Sequence, residues 1–284
     1  MLAASGQTAY IHEPFNDVIR TSVNPEPFPR PFQYLCDENS QPYLEALEDI
    51  LHFRYPLFNN FRKVRSLMDA ADILRDQILF WRYRLHNSRP LVKDPIAFFS
   101  AEWLGRTFDM DVLVMIRHPA AFCSSLKIKN WRFDFNHFLR QPLLMEKFLA
   151  GFEAEIREQS ENRKGIIEQA ILLWNCIHHT IAIYRKDHPD WLFVRHEDLS
   201  LDPVNQFRAI YHAFHLKFTD RVQEKILKSS GAHNPVEQQS RNEFVRNSKK
   251  NIDNWKIRLS REEIDLIRAK TSEIAAPFYS DETW

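Results

Sequence analysis

Glycine is scarce in this chain, with five among 284 residues, at positions 6, 105, 151, 165 and 231. None is followed by a Lys-Ser or Lys-Thr signature, which excludes a Walker-type phosphate loop of free backbone N–H groups. Cysteine is equally sparse. Cys36, Cys123 and Cys176 are odd in number and lack Cys-x-x-Cys spacing, so neither a disulfide framework nor a zinc ribbon is expected. A reducing cytoplasmic setting is the expected one. Net charge is absent, because 38 basic and 38 acidic residues cancel. No global field then draws the chain to nucleic acid or an anionic membrane, and any anion site must be local. No apolar run approaches the roughly 20 residues of a bilayer span, and Met1–Gln7 lacks the charged and apolar regions of a signal peptide. The 12 histidines show no His-Glu-x-x-His spacing. His178 and His179, adjacent on one helix, cannot face one ion together, so no metal is expected.

What the chain does have is core-forming material. With 44% hydrophobic and 13% aromatic residues it can bury a sizeable core, most simply as a single domain over residues 1–284. Pro14, Pro25, Pro27, Pro29, Pro31 and Pro42 keep residues 13–42 loop-like. Leu67, Ala71, Leu74, Ile78, Trp81 and Leu85 recur at three- and four-residue intervals, which predicts an amphipathic helix over 64–87. Residues 90–93 read as a strand, 97–108 as a helix, and 112–116 as a strand apolar on both faces. Together they predict a βαβ unit in a parallel sheet covered by helices, hence an α/β fold. Further helices are expected at 120–128, 143–159, 166–186, 202–214 and 220–229, with a strand at 191–194. Ser260, followed by Glu262 and Glu263, reads as the cap of a last helix. The polar stretch 231–254 reads as a long surface loop, of a length that often forms a functional lid.

In an open parallel sheet, ligands sit beyond the carboxyl ends of the strands. Lys93, Arg117 and the His196-Glu197-Asp198 turn fall there. Arg117 carries a fork of donors suited to phosphate, and Ser125, eight residues on, can reach the same anion from the first turns of the following helix. Equally, Arg117 can pair with a neighbouring carboxylate, with Ser124 and Ser125 as ordinary helix residues. The pattern leaves both open.

The run Arg117-His-Pro-Ala-Ala-Phe-Cys-Ser-Ser125 resembles the 3′-phosphate-binding motif of the sulfotransferase family. Three other segments agree in order: Phe193-Val-Arg-His-Glu-Asp-Leu199 with Asp202-Pro203, Asn254-Trp255-Lys256 before Leu259-Ser260, and Glu13-Pro14-Phe15-Asn16. The likeness covers nearly the whole chain and lies toward the bacterial and carbohydrate branches. It implies a three-layer fold related to P-loop nucleotide-binding proteins, with a central parallel sheet flanked by helices. It further implies transfer of a sulfuryl group from 3′-phosphoadenosine 5′-phosphosulfate to a hydroxyl of a carbohydrate or small metabolite. Such transfer needs charge stabilisation at the leaving phosphate and a base for the acceptor hydroxyl. Glu13 matches the family's base and Lys93 a lysine near the transferring group. Arg117 and Ser125 match the 3′-phosphate clamp, while Arg246 and Lys249 stand where a basic lid run would close over it. Pro95 occupies the position where the cytosolic branch has a histidine, which favours Glu13 as base. Trp131 either lines an acceptor pocket or packs in the core, the core being the simpler role.

The chain departs from the family in lacking the Gly- and Ser/Thr-rich loop that holds the 5′-phosphosulfate. Residues 1–12 resemble the end of the family's first helix running into the next strand, so the first strand and phosphate loop are expected to be missing. The corresponding expectation is an exposed apolar sheet face, weak stability and little transfer activity. The alternative is a non-catalytic nucleotide-binding or interaction protein that keeps only the 3′-phosphate half-site.

Overall fold

The computed structural model describes residues 1–16, 28–56, 60, 64, 66–236 and 245–284. The chain divides into two compact units, Leu2–Met110 and Asp111–Trp284, the second also taking Met1. Pro25 and Pro27 lie outside the described residues. The fold is α/β, mostly helical with short parallel ladders.

The first unit opens with a 3-10 turn at Leu2–Ser5, where the tail of a helix was expected, and continues into strand β1 (Thr8–His12). Among the described residues helices α1 (Gln41–Leu51) and α2 (Leu67–Leu85) follow, then strand β2 (Arg89–Lys93) and helix α3 (Ala101–Thr107). β1 and β2 run parallel with Thr8 opposite Arg89 and His12 opposite Lys93. Parallel pairing demands a long crossover, which α1 and α2 supply. Ile11 and Phe15 from the strand side pack with Ile50 of α1 and Phe80 of α2 in one apolar cluster. The Ser100 hydroxyl ties the Pro-rich segment to it, accepting from Leu35 N–H at 2.9 Å and donating to Gln33 C=O at 2.6 Å.

Helix α2 begins at a capping box. The Ser66 hydroxyl accepts from Asp69 N–H, and the Asp69 carboxylate accepts from Ser66 N–H, both at 3.1 Å. The helix sits where the apolar spacing predicts, yet it buries Ile73 and Phe80 rather than the expected stripe, which faces solvent. Two large side chains seven residues apart, Phe80 among them edge-on to Phe53, fix the inward face.

The second unit opens with strand β3 (Leu113–Ile116) and helix α4 (Pro119–Lys129). Next come short helical turns from 136 to 152, a helix at Glu153–Glu161, and α5 (Ile166–Asp187). Strand β4 (Leu192–Arg195) pairs parallel with β3, Leu113 opposite Leu192. Strand, helix and strand follow one another in the chain as expected, but the expected βαβ pairing of β2 with β3 is not formed among the described residues: β2 lies against β1, and β3 against β4. Nor is β3 covered on both faces, since Val114 and Ile116 are buried while Met115 is exposed. The expected helix over 143–159 is broken into α, π and 3-10 segments before Glu153, with Gly151, a poor helix former, inside the stretch.

By length and composition α5 could cross a membrane, but 61% of its apolar window is buried inside the protein. Trp174, Cys176 and Tyr184 are fully enclosed. The His196-Glu197-Asp198 turn is the start of a short helix, α6 (His196–Leu201). The last long helix, α7 (Arg261–Ala275), begins at the Ser260 cap that its sequence indicates, with Glu263 closing a capping box at 3.2 and 2.8 Å. Of the expected surface loop at 231–254, residues 237–244 lie outside the described set. Asn247 and Asn254 are buried rather than solvated, Asn247 Nδ2 donating to Ala232 C=O at 2.8 Å.

Candidate anion site

In the second unit Arg246 and Arg258 act by charge on Arg117, at the carboxyl end of β3. Arg117 leaves the strand there, and its own carbonyl accepts from Trp174 Nε1 at 3.0 Å, which fixes the backbone. Some of the residue keeps surface, but its Nε is fully enclosed and has no hydrogen-bond partner among the described residues. An enclosed donor without an acceptor is costly and is normally found only where something else supplies the acceptor. Burial pulls the guanidinium below its ordinary pKa. Glu197 opposes this with its negative charge, and Arg246 and Arg258 add to it with like charge.

Helix α4 starts two residues later with Pro119, which suits a first helical position. His118, its N-cap, gives no side-chain cap, and the buried first turn sets the positive end of the helix dipole two residues from Arg117, where negative charge is favoured. The His118 ring instead stacks on Trp255 at 5.2 Å and meets Tyr279 edge-on at 5.0 Å. Burial first, then the Lys256 charge, lowers it to about 4, against a weaker opposing pull from Asp253, so the ring is neutral at physiological pH. Ser124 has a buried hydroxyl without a partner among the described residues, whereas Ser125 is only half-buried in the second turn.

Glu197 is the hinge of this arrangement. Its Oε1 accepts from His118 N–H at 3.0 Å and its Oε2 from Tyr279 O–H at 2.8 Å, so it ties the helix start to the C-terminal segment. Burial, the Glu197 charge and this bond push the Tyr279 phenol well up. Both carboxylate oxygens being engaged this way, Glu197 balances Arg117 by charge while leaving Nε unmatched. Beside it, Arg195 grips Asp198 through two bonds of 2.8 and 2.6 Å.

Arg246, one of the two expected lid cations, is half-buried and lies in the electrostatic reach of Arg117 and His196. Lys249 is exposed in a short helix, Ser248–Asn251. Sequence reasoning missed Arg258, the third cation of the cluster. Its only signal was its place at the end of Trp255–Arg258, next to the Asn254-Trp255-Lys256 segment. Trp131, expected in the core, is exposed instead. It follows a left-handed Asn130 (φ 47°) that ends α4 and turns the chain outward.

The first unit holds the remaining pair. Glu13 and Lys93 stand at the ends of adjacent strands and are joined directly, Lys93 Nζ donating to Glu13 Oε1. Asn16 Nδ2 donates to the other oxygen at 2.8 Å. Burial would raise the Glu13 carboxyl, but the bonds from Lys93 and Asn16, helped by the Lys93 and His12 charges, outweigh it and hold the group below its ordinary value. The backbone at Glu13 is left-handed, with φ 41°, a conformation of higher energy for a residue with a Cβ. A bond from Glu13 N–H to Lys93 C=O at 3.0 Å holds it there.

Asp94, which the sequence reading passed over, accepts from Phe15 N–H at 2.6 Å and Ile96 N–H at 2.9 Å. Burial and the Glu13 charge raise its pKa against the pull of those bonds. An Asp before a Pro at a strand end was the available clue. Among the described residues no group of three or more His, Cys, Asp or Glu is placed to hold a metal ion. His178 is buried, stacked on Trp174 at 3.8 Å, with Nδ1 at 3.0 Å from that residue's carbonyl.

Comparison with protein-family models, curated proteins and solved structures returns no match.

Proposed function

We propose that this chain is a sulfotransferase-type protein whose second unit binds the 3′-phosphate of 3′-phosphoadenosine 5′-phosphosulfate or its desulfated product. The carrying observation is the enclosed Arg117 Nε, without a hydrogen-bond partner among the described residues, beside an uncapped helix start and within electrostatic reach of Arg246 and Arg258. A phosphate monoester supplies what that geometry lacks: a compact acceptor and roughly two negative charges to offset three cations. On this reading Arg117 and Arg246 grip the phosphate, Arg258 adds charge, and the first-turn amides of α4 complete the cradle. Ser125 takes the role that the sequence resemblance gives it, and Lys249 steers from the surface.

In the same reading Glu13 is the acceptor-side base and Lys93 the group near the transferred sulfuryl. Both roles rest on the resemblance, as does the three-layer, P-loop-related fold. One observation favours the second reading, a binder without turnover. Glu13 is already engaged by Lys93 and Asn16 and held below its ordinary pKa, which makes it a weak base.

Calorimetric titration of residues 1–284 with 3′-phosphoadenosine 5′-phosphate tests the reading, with Arg117→Ala as control. Saturable binding lost by at least tenfold in the variant supports it. Heat that is absent, or unchanged by the substitution, overturns it. A sulfuryl-transfer assay with simple sugars and phenols then separates the two forms, since binding without turnover selects the non-catalytic one.

A further inference from the structure

Helix α2 carries an apolar strip that stays exposed among the described residues. Leu67, Ala71, Leu74, Ile78, Trp81 and Leu85 follow one another at intervals of four, three, four, three and four. That is a 3.5-residue repeat, a spacing that suits a coiled-coil seam. Leu67, Leu74 and Trp81 occupy d positions and Ala71, Ile78 and Leu85 occupy a positions. The strip lies in solvent: Leu67 is 91% exposed, Leu74 50%, Ile78 57%, Trp81 58% and Leu85 63%. The inward face is taken by Ile73 and Phe80, at c positions, so the seam is a second apolar surface on a helix already anchored. At about 1.5 Å per residue, the strip runs for roughly 27 Å.

The flanks state what fits it. The e positions are Met68, Arg75 and Arg82, and the g positions are Ala70, Gln77 and Arg84. They hold three arginines and no carboxylate. Arg75 is shared with Asp72 at 2.8 Å and Asp76 at 2.9 Å, on the side away from the seam. Arg82 and Arg84 form no ion pair among the described residues. We propose that the Leu67–Leu85 strip is a docking site for an amphipathic helix of a partner protein with an apolar heptad seam and acidic flanks.

Two other occupants fit less well. A second copy packed antiparallel sets Arg75 against the partner's Arg82, and packed parallel it sets Gln77 against Arg82, so neither orientation gives a charge pair. A membrane surface favours a broad apolar face with an excess of Lys and Arg. This strip is narrow, and Asp69, Asp72 and Asp76 cancel the three arginines.

The test uses residues 1–284 and a fluorescently labelled 21-residue helical peptide with Leu and Ile at a and d and Glu at e and g. A matched peptide has Lys in place of Glu. Anisotropy titration should show the Glu peptide binding at least tenfold more tightly. Ile78→Glu or Trp81→Glu should each weaken that binding at least tenfold with the melting temperature unchanged. Arg82→Glu combined with Arg84→Glu should shift the preference toward the Lys peptide. The proposal is overturned by a Glu peptide that does not bind, or by equal binding of both peptides. A fall in melting temperature on Ile78→Glu also overturns it, because the strip would then be internal. So does a dimer in sedimentation equilibrium that Ile78→Glu dissociates, or flotation with phosphatidylserine vesicles that the same change abolishes.

Discussion

Replacing Arg117 with methionine distinguishes a cation kept for a ligand from one kept for the fold. An enclosed donor without an acceptor costs on the order of 1–3 kcal/mol, and Arg117 Nε is such a donor. Arg246 and Arg258 add repulsion, while Glu197 offsets part of both. Methionine keeps most of the apolar stem and adapts to irregular space. The expected net gain in the unliganded protein is about 1 kcal/mol, a rise in melting temperature of about 2–4 °C for a domain of this size. Ligand reverses the order. At a hundredfold excess over Kd, 3′-phosphoadenosine 5′-phosphate should stabilise the wild type by about 2.7 kcal/mol, and Arg117→Met not at all. Thermal melts followed by near-UV circular dichroism, with and without ligand, give all four numbers. The reasoning is refuted if Arg117→Met melts lower by the 3–5 kcal/mol typical of a broken buried ion pair and the ligand shifts both proteins equally.

His118 predicts an acid limb. Burial lowers it to about 4, so between the ordinary value near 6.5 and pH 4 the unfolded chain takes up a proton that the folded one refuses. Stability therefore falls with pH across that window, by on the order of 3 kcal/mol from this group. Neither ring nitrogen has a hydrogen-bond partner among the described residues, so His118→Phe should flatten the dependence of the urea midpoint between pH 7.5 and 4.5, and an unchanged slope would contradict the assignment. On α2, Phe80→Ala should cost about 3–5 kcal/mol, whereas Ile78→Glu should stay within about 0.5 kcal/mol. Urea titration of both variants at pH 7.5 decides whether the buried face is the one described, and the reverse order would show that it is not.

Local signals in the sequence found local structure. The strand ending at Arg117, the Ser260 cap and the extent of α5 all follow from residues close together in the chain. What the sequence could not supply is which surface a pattern turns toward. The stripe from Leu67 to Leu85 has the stronger periodicity, but Ile73 and Phe80 win the interior because Phe53 and Tyr55 meet Phe80 there. The same limit hid the strand partners, since β1 is matched to β2 across two helices. At the site, Arg117 was legible from its place at a strand end. Arg258 was not, because it reaches that place only through folding, from a position far along the chain.

The two parallel ladders also set a timetable. Thr8 finds Arg89, and Leu113 finds Leu192, each across about 80 positions of chain. At a synthesis rate of roughly 5–20 residues per second, the first strand of each pair waits roughly 4–16 s before its partner exists. Ile11 and Val114, buried in the finished protein, spend that interval exposed on the ribosome. Yield during expression should therefore depend on chaperone supply and growth temperature more steeply than the melting temperature of the folded protein would suggest.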